Sequence, residues 1–279
     1  MRIELPLDFA QACDIVRDLK HRAPLGACVD IANYDQHVAQ HATRKHLPLS
    51  EMTDSVWVNS IGVPKWDRWP TNKCEDLVFI PHLMRQEVTL AAIDSVLACD
   101  RPVVVFDQED RDNWPEAVSI ARSAPLTFTR VQNWFQKQAS ILGLKRFYFM
   151  HSDATVSLDT FERMDAMPGG HLVFTAYDAL VRFDVEMLRD IGCWDESFEW
   201  YVSDIDFYNR IRWDGKWCVI DCPDSGVCHH GSMTKRNLSA EELRHVNHAH
   251  AWAKSHYMHK WGHDFEADTG VPHKVPYNA

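Results

Sequence analysis

Between Glu75 and Gly170 the chain alternates short, wholly apolar runs with longer stretches whose apolar positions recur every three or four residues. Leu77 to Ile80, closed by Pro81, then Val103 to Phe106 and Phe147 to Met150 read as strands buried on both faces, and Leu126 to Thr129 as another. Between them, Glu87 to Cys99 puts Val88, Ala91, Ala92 and Val96 on one helical face, and Val131 to Leu144 is patterned as a second helix. Such alternation implies βαβ units with right-handed crossovers, hence an α/β fold with a mainly parallel sheet and helices on both faces. Ligands of these sheets bind beyond the carboxyl ends of the strands. That rule directs attention to Pro81-His82, Asp107-Gln108 and His151-Ser152-Asp153, polar groups that follow directly on apolar runs.

The flanks are patterned differently. Asp8 with Gln11 forms a capping box ahead of an apolar stripe (Phe9, Ala12, Val16, Leu19), predicting a helix that stops near Pro24, and Ala27 to Asn72 reads as irregular cover. After Gly170 the pattern predicts a strand over His171 to Ala176 and a short helix over Val185 to Ile191. A helix over Asp204 to Trp213, with Asp204 near its positive end, and a strand over Trp217 to Ile220 follow. Ser239 with Glu242 is a second capping box, and Leu243, Val246, His250, Ala253, Tyr257 and Trp261 then make a stripe that reaches Gly262. An extended tail runs from Val271 to Tyr277. The expected organisation is an N-terminal extension over residues 1–74, a catalytic domain over 75–235 and a C-terminal helical tail over 236–279 packing on it.

Composition narrows the function classes. A chain of 279 residues with 46% hydrophobic and 25% charged positions is ordinary for a globular protein, and no apolar run reaches the roughly 20 residues of a membrane helix. The opening residues carry no basic flank followed by an apolar stretch, so the expectation is a soluble cytoplasmic protein without a membrane span. A formal charge of -11 disfavours non-specific attachment to nucleic acid or anionic membrane. Eight cysteines scattered through apolar segments read mostly as reduced core thiols.

Candidate chemistry gathers in three places. Asp107 and Asp153 each end an apolar run; either carboxylate could cap a following helix, but two at neighbouring strand ends need a cation or donors to be tolerated together. From Trp194 to Phe207, five carboxylates (Asp195, Glu196, Glu199, Asp204, Asp206) lie among aromatics, a composition suited to saccharides, or alternatively a loop packed on its own rings. Cys222, Cys228, His229 and His230 lack the paired spacing of a structural zinc site, and His229 or His230, before Gly231-Ser232, better suits a single metal or phosphate ligand. The i,i+3 histidines of the last helix read as solvated polar positions.

Taken in order, Asp76-Leu-Val-Phe-Ile-Pro81, Val103-Val-Val-Phe-Asp107, Phe147-Tyr-Phe-Met-His-Ser-Asp153, Gly192-Cys-Trp-Asp-Glu-Ser-Phe198, Ser203-Asp-Ile-Asp-Phe207 with Arg210 and Gly215, and Val227-Cys-His-His-Gly-Ser232 resemble the GT-A glycosyltransferases, particularly the family 2-like group, across about residues 75 to 235. Tyr257-Met-His-Lys-Trp-Gly262 is similar to a Lys-Trp-Gly ending found in some of them. The resemblance implies a GT-A, Rossmann-like fold and a nucleotide-sugar-dependent transferase. It implies donor contacts at Pro81, Asp107 and Asp153, and a divalent ion, Mn²⁺ or Mg²⁺, on Asp153 with His229 or His230. Acceptor contacts fall at Trp200 and Asp206, and Asp204 becomes the general base of an inverting transfer, with Asp206 adding a like charge beside it. His151 stands where many relatives carry Asp or Asn, and Ser203 where Glu is frequent. The acceptor stays open among a glycan, a small molecule, a protein and a modified nucleobase, and so does the oligomeric state. The alternatives are a retaining GT-A transferase, in which Asp204 orients substrate, and a catalytically silent saccharide or nucleotide-sugar binding module.

Overall fold

A computed structural model describes residues 2–4, 30–32, 65–70, 76–169, 171–175, 178–199, 201–222, 225–230 and 240–265. Two short strands, β1 (Arg2–Glu4) and β2 (Asp30–Ala32), pair with each other in parallel. The main sheet is built from β3 (Lys65–Arg68), β4 (Val78–His82), β5 (Val103–Asp107), β6 (Ser119–Arg122), β7 (Arg146–Met150), β9 (Leu172–Thr175), β10 (Leu180–Asp184) and β11 (Val219–Asp221). Its order is β11-β9-β10-β7-β4-β5-β6-β3. β4 pairs in parallel with β5 and β7, β5 with β6, and β11 with β9, while β10 runs against both of its neighbours and β3 against β6. The predicted architecture, an α/β fold with a mainly parallel sheet covered on both faces, is the one observed.

The apolar runs are continuous because the sheet buries both faces. On one side Phe79, Phe106, Phe147, Phe149, Phe174 and Phe183 meet helices α2 (Phe128–Ile141), α4 (Val185–Ile191) and α5 (Ser203–Asp214). On the other, Val78, Ile80, Val105, Tyr148 and Met150 meet α1 (Gln86–Leu97) and α3 (Thr160–Asp165). Neighbouring residues such as Phe79 and Ile80 thus serve opposite cores, as a pleat with a period of two requires.

Two expectations are corrected and one unread strand is added. The segment 126–129 is no strand: Thr127 is extended and Phe128 opens α2, so the third parallel strand is β6 instead. The cover before Asn72 contains β3, which closes the sheet's outer edge against β6. β10 went unread because Arg182 interrupts its apolar run; this side chain is fully buried, donating to the carbonyls of Met164, Met167 and Pro168 and lying 3.5 Å from Asp184. The predicted helix after Asp8 and the tail after Val271 lie outside the described residues.

A second small sheet pairs β8 (Ala154–Val156) with β12 (Val227–His229), antiparallel. The last helix, α6 (Ala240–Trp261), packs Ala253 and Tyr257 on Phe198 and Val202, the loop that leads into α5. Among the described residues no helix is long and apolar enough to cross a membrane.

Candidate active site

The carboxyl ends of β4, β5 and β7 lie along one edge of the sheet, and antiparallel β10 begins at that same edge, since Leu180 pairs with Met150. Just past Met150 the chain turns: the Ala154 N–H donates to the His151 carbonyl at 3.2 Å, and β8 then carries it to β12. Register aligns Ala154 with His229, so the end of β7 and the end of β12 meet. As a result His151, Asp153 and His229 offer ligand atoms that all lie within 4.8 Å of one another. His229 Nε2 is 3.2 Å from Asp153 Oδ1, and the two imidazoles are 5.4 Å apart, centroid to centroid. Burial, and then the neighbouring His229, push His151 down to about 4, so it is neutral with a lone pair to offer at physiological pH.

Strand alternation distinguishes the two candidate histidines. The His230 backbone N–H donates to the Asp153 carbonyl at 2.9 Å, while its ring reaches Thr155 Oγ1 at 3.3 Å, away from the cluster. His229 therefore joins Asp153 and His230 does not. The sequence reading treated His151 as a departure from a pattern; here it completes the group.

A backbone hydrogen bond links this cluster to a second one. The His151 N–H donates to the carbonyl of Ala179 at 2.9 Å. The preceding residue, Asp178, has φ 61, accepts a hydrogen bond from the Tyr208 hydroxyl at 2.7 Å and is hydrogen-bonded to Asp204 in the first turn of α5. Burial, and then the Asp204 charge, hold Asp178 well above the usual carboxylate range. Sequence reasoning missed Asp178; the available signal was a carboxylate directly preceding an apolar run that an arginine had disguised.

The carboxyl group beside Asp204 is thus that of Asp178 and not that of Asp206. The Asp206 side chain is fully buried, with Lys260 Nζ at 2.9 Å, Trp261 Nε1 donating at 2.9 Å and Arg210 Nε at 3.3 Å. Against the cost of burial, the Lys260 and Arg210 charges hold its carboxyl below the usual range. Asp107 is also wholly buried: its carboxylate accepts from the N–H groups of Glu109 (3.1 Å) and Arg111 (2.7 Å), from Trp114 Nε1 (3.1 Å) and from Arg122 (3.2 Å). These four donors fold the loop after β5. Beside it a cavity of about 610 Å³ opens at the ends of β5 and β6, lined by Lys65, Trp66, Gln108, Glu109, Arg122 and Ser123 among others. Pro81 lies in β4 opposite Phe106, next to buried His82, whose Nδ1 is 2.9 Å from Thr89 Oγ1. Trp200 lies outside the described residues.

No family model and no curated protein matches the chain. Among solved structures it is similar to the mannosyltransferase PcManGT of Pyrobaculum calidifontis, in complex with GDP-Man and Mn²⁺, with 15% identity and a TM-score of 0.42 over 87% of this chain and 81% of that one. It is also similar to a protein of Desulfovibrio desulfuricans G20 assigned as a nucleotide-diphospho-sugar transferase, with 12% identity and a TM-score of 0.33 over 65% of this chain and 98% of that one. These are distant likenesses of shape, and the α/β assignment stands on the strand order and direction described above.

Proposed function

We propose that the chain is a nucleotide-sugar-dependent glycosyltransferase that inverts the anomeric centre. The observation that carries this reading is the juxtaposition of two groups at the carboxyl edge of a mainly parallel sheet. A cation-ready set (His151, Asp153, His229) lies one backbone hydrogen bond from a hydrogen-bonded carboxylate pair (Asp178, Asp204). The donor set fits a divalent transition ion, because two imidazoles and a carboxylate suit Mn²⁺ better than Mg²⁺, which prefers oxygen and near-ideal octahedral geometry. A bound ion would neutralise charge on the departing nucleoside diphosphate.

The chain's own residues supply the rest. Asp204 accepts the proton of the attacking hydroxyl, and Asp178, hydrogen-bonded to it, keeps Asp204 oriented. Asp107 serves the donor by building the loop beside the 610 Å³ cavity, a size suited to a small ligand such as a nucleoside. Asp206 braces the start of α5. We assign the catalytic unit to residues 75–235, with 236–279 packed on it and 1–74 as an extension.

The test is a panel of GDP- and UDP-sugars with Mn²⁺, scored for release of nucleoside diphosphate with and without EDTA. Turnover by at least one donor, abolished by chelator, is expected, and inversion is read from the anomeric configuration of the product. Binding without any release would make the chain a silent module, and full turnover in excess EDTA would remove the ion from the scheme.

A further inference from the structure

We infer that Lys260, in the last turn of α6, is a positioning residue for sugar transfer: its ammonium clamps both ends of the loop 195–206 and so fixes the turn that carries Asp204. The inference rests on the reading of Asp204 as general base. Lys260 has a side chain only 7% exposed, 2.7 Å from Asp195 Oδ2 and 2.9 Å from Asp206 Oδ1. Asp195 stands where the loop leaves Trp194, with its other oxygen accepting from the Ser197 N–H at 3.0 Å; Asp206 lies in the first turn of α5, two residues past Asp204. One buried cation therefore joins two carboxylates that would otherwise repel, 11 residues apart in the chain. Trp261 adds a second bond from the same turn, donating to the oxygen of Asp206 that Lys260 contacts.

The enclosed loop needs such a restraint. Val202, the residue before α5, has φ 67, a left-handed conformation that costs a β-branched residue free energy and persists only where its surroundings impose it. The surroundings come from α6: Val202 and Phe198 pack on Ala253 and Tyr257, and the Lys260 ammonium lies 5.5 Å from the centre of the Phe198 ring. Released from the clamp, the loop relaxes at Val202 and Asp204 loses its alignment with the acceptor hydroxyl. The cluster of His151, Asp153 and His229 stands on the turn between β7 and β8 and on β12, and is untouched.

The experiment is a double-mutant cycle on the full chain, with the donor identified by the panel. Lys260→Met is expected to lower kcat on the order of 10- to 100-fold, the loss expected when a positioned base is misaligned, with donor KM and the calorimetric affinity for GDP or UDP with Mn²⁺ within about twofold of wild type. In the Asp204→Asn background the same change should alter the residual rate less than about twofold, since no base remains to misplace. Lys260→Arg should recover most of the rate. Hydrogen exchange in the protein alone should quicken at residues 201–206 and stay unchanged in β4 and β7. Asp195→Asn, which keeps an acceptor for Ser197 and removes one arm of the clamp, repeats each measurement in case Lys260→Met does not fold. Equal losses in both backgrounds, or exchange that quickens throughout the sheet, would overturn the clamp and leave the base reading intact. Near-normal transfer by Asp204→Asn alone would end the base reading and the inference built on it.

Discussion

At the scale of single residues, Asp204, Asp206 and Asp178 have different surroundings and should fail differently. Asp204→Asn keeps shape and removes basicity, so transfer is expected to drop on the order of 10²- to 10⁴-fold with nucleotide affinity nearly unchanged, measured by steady-state kinetics beside calorimetry. Asp206→Asn leaves the buried Arg210 charge without its carboxylate and Lys260 with Asp195 alone, and should cost about 3 kcal/mol in urea unfolding, while harming transfer less than the change at Asp204. Asp178 makes a pH prediction. Its folded pKa lies above the ordinary value of 3.8, so the folded state favours the protonated form; its contribution to stability is full below about pH 4 and is lost as pH rises through the elevated value. Asp178→Asn should therefore raise Tm relative to wild type by about 2–4 °C at neutral pH and by less near pH 4. Melting curves that keep a constant offset from pH 4 to pH 8 would contradict the elevated value. Asp107→Ala, which leaves four donors around an empty buried space, should destabilise by about 3 kcal/mol or more in urea unfolding, beyond any effect on KM.

At the scale of elements, the proposed cation ligands depend on the small β8–β12 pair, which Gly226 leads into. This glycine has φ 75, and a Cβ placed on it would lie 1.9 Å from Ser157 Oγ, so alanine there is strained in the backbone and must displace either the Ser157 side chain or the start of β12. Gly226→Ala should weaken Mn²⁺ binding by about 10- to 100-fold, comparable to His229→Ala, whereas His230→Ala should stay within about threefold; titration calorimetry with Mn²⁺ alone checks all three. Much of this level was legible in the sequence. Uninterrupted apolar runs marked β4, β5 and β7, and the polar residues that close them, His82, Asp107 and His151 to Asp153, lie at the carboxyl edge of the sheet. Elements defined by long-range pairing were not legible: β6 is only Ser-Ile-Ala-Arg, β8 is Ala-Thr-Val, and β12 ends in the histidine whose partner lies 76 residues earlier. Asp178 was hidden for the same reason. Its role exists only because β10 runs backwards between β7 and β9.

For the whole molecule, the two cores on either face of the eight-stranded sheet do not include the cation cluster. Chelation should therefore silence the protein without unfolding it, with Tm falling by no more than about the few degrees that lost ligand binding accounts for, followed by differential scanning calorimetry in EDTA. The backbone bond from His151 to Ala179 also sets a length. Asp178 and Ala179 are consecutive, so one peptide step, about 3.8 Å between Cα atoms, separates the residue tied to the cation side from the residue tied to the base. In a displacement at carbon, the group that leaves and the group that arrives occupy opposite sides of one atom. In the inverting transfer proposed here, a spacer one residue long at the start of β10 is a ruler between them, holding the two halves of the reaction in step when the loops around them move.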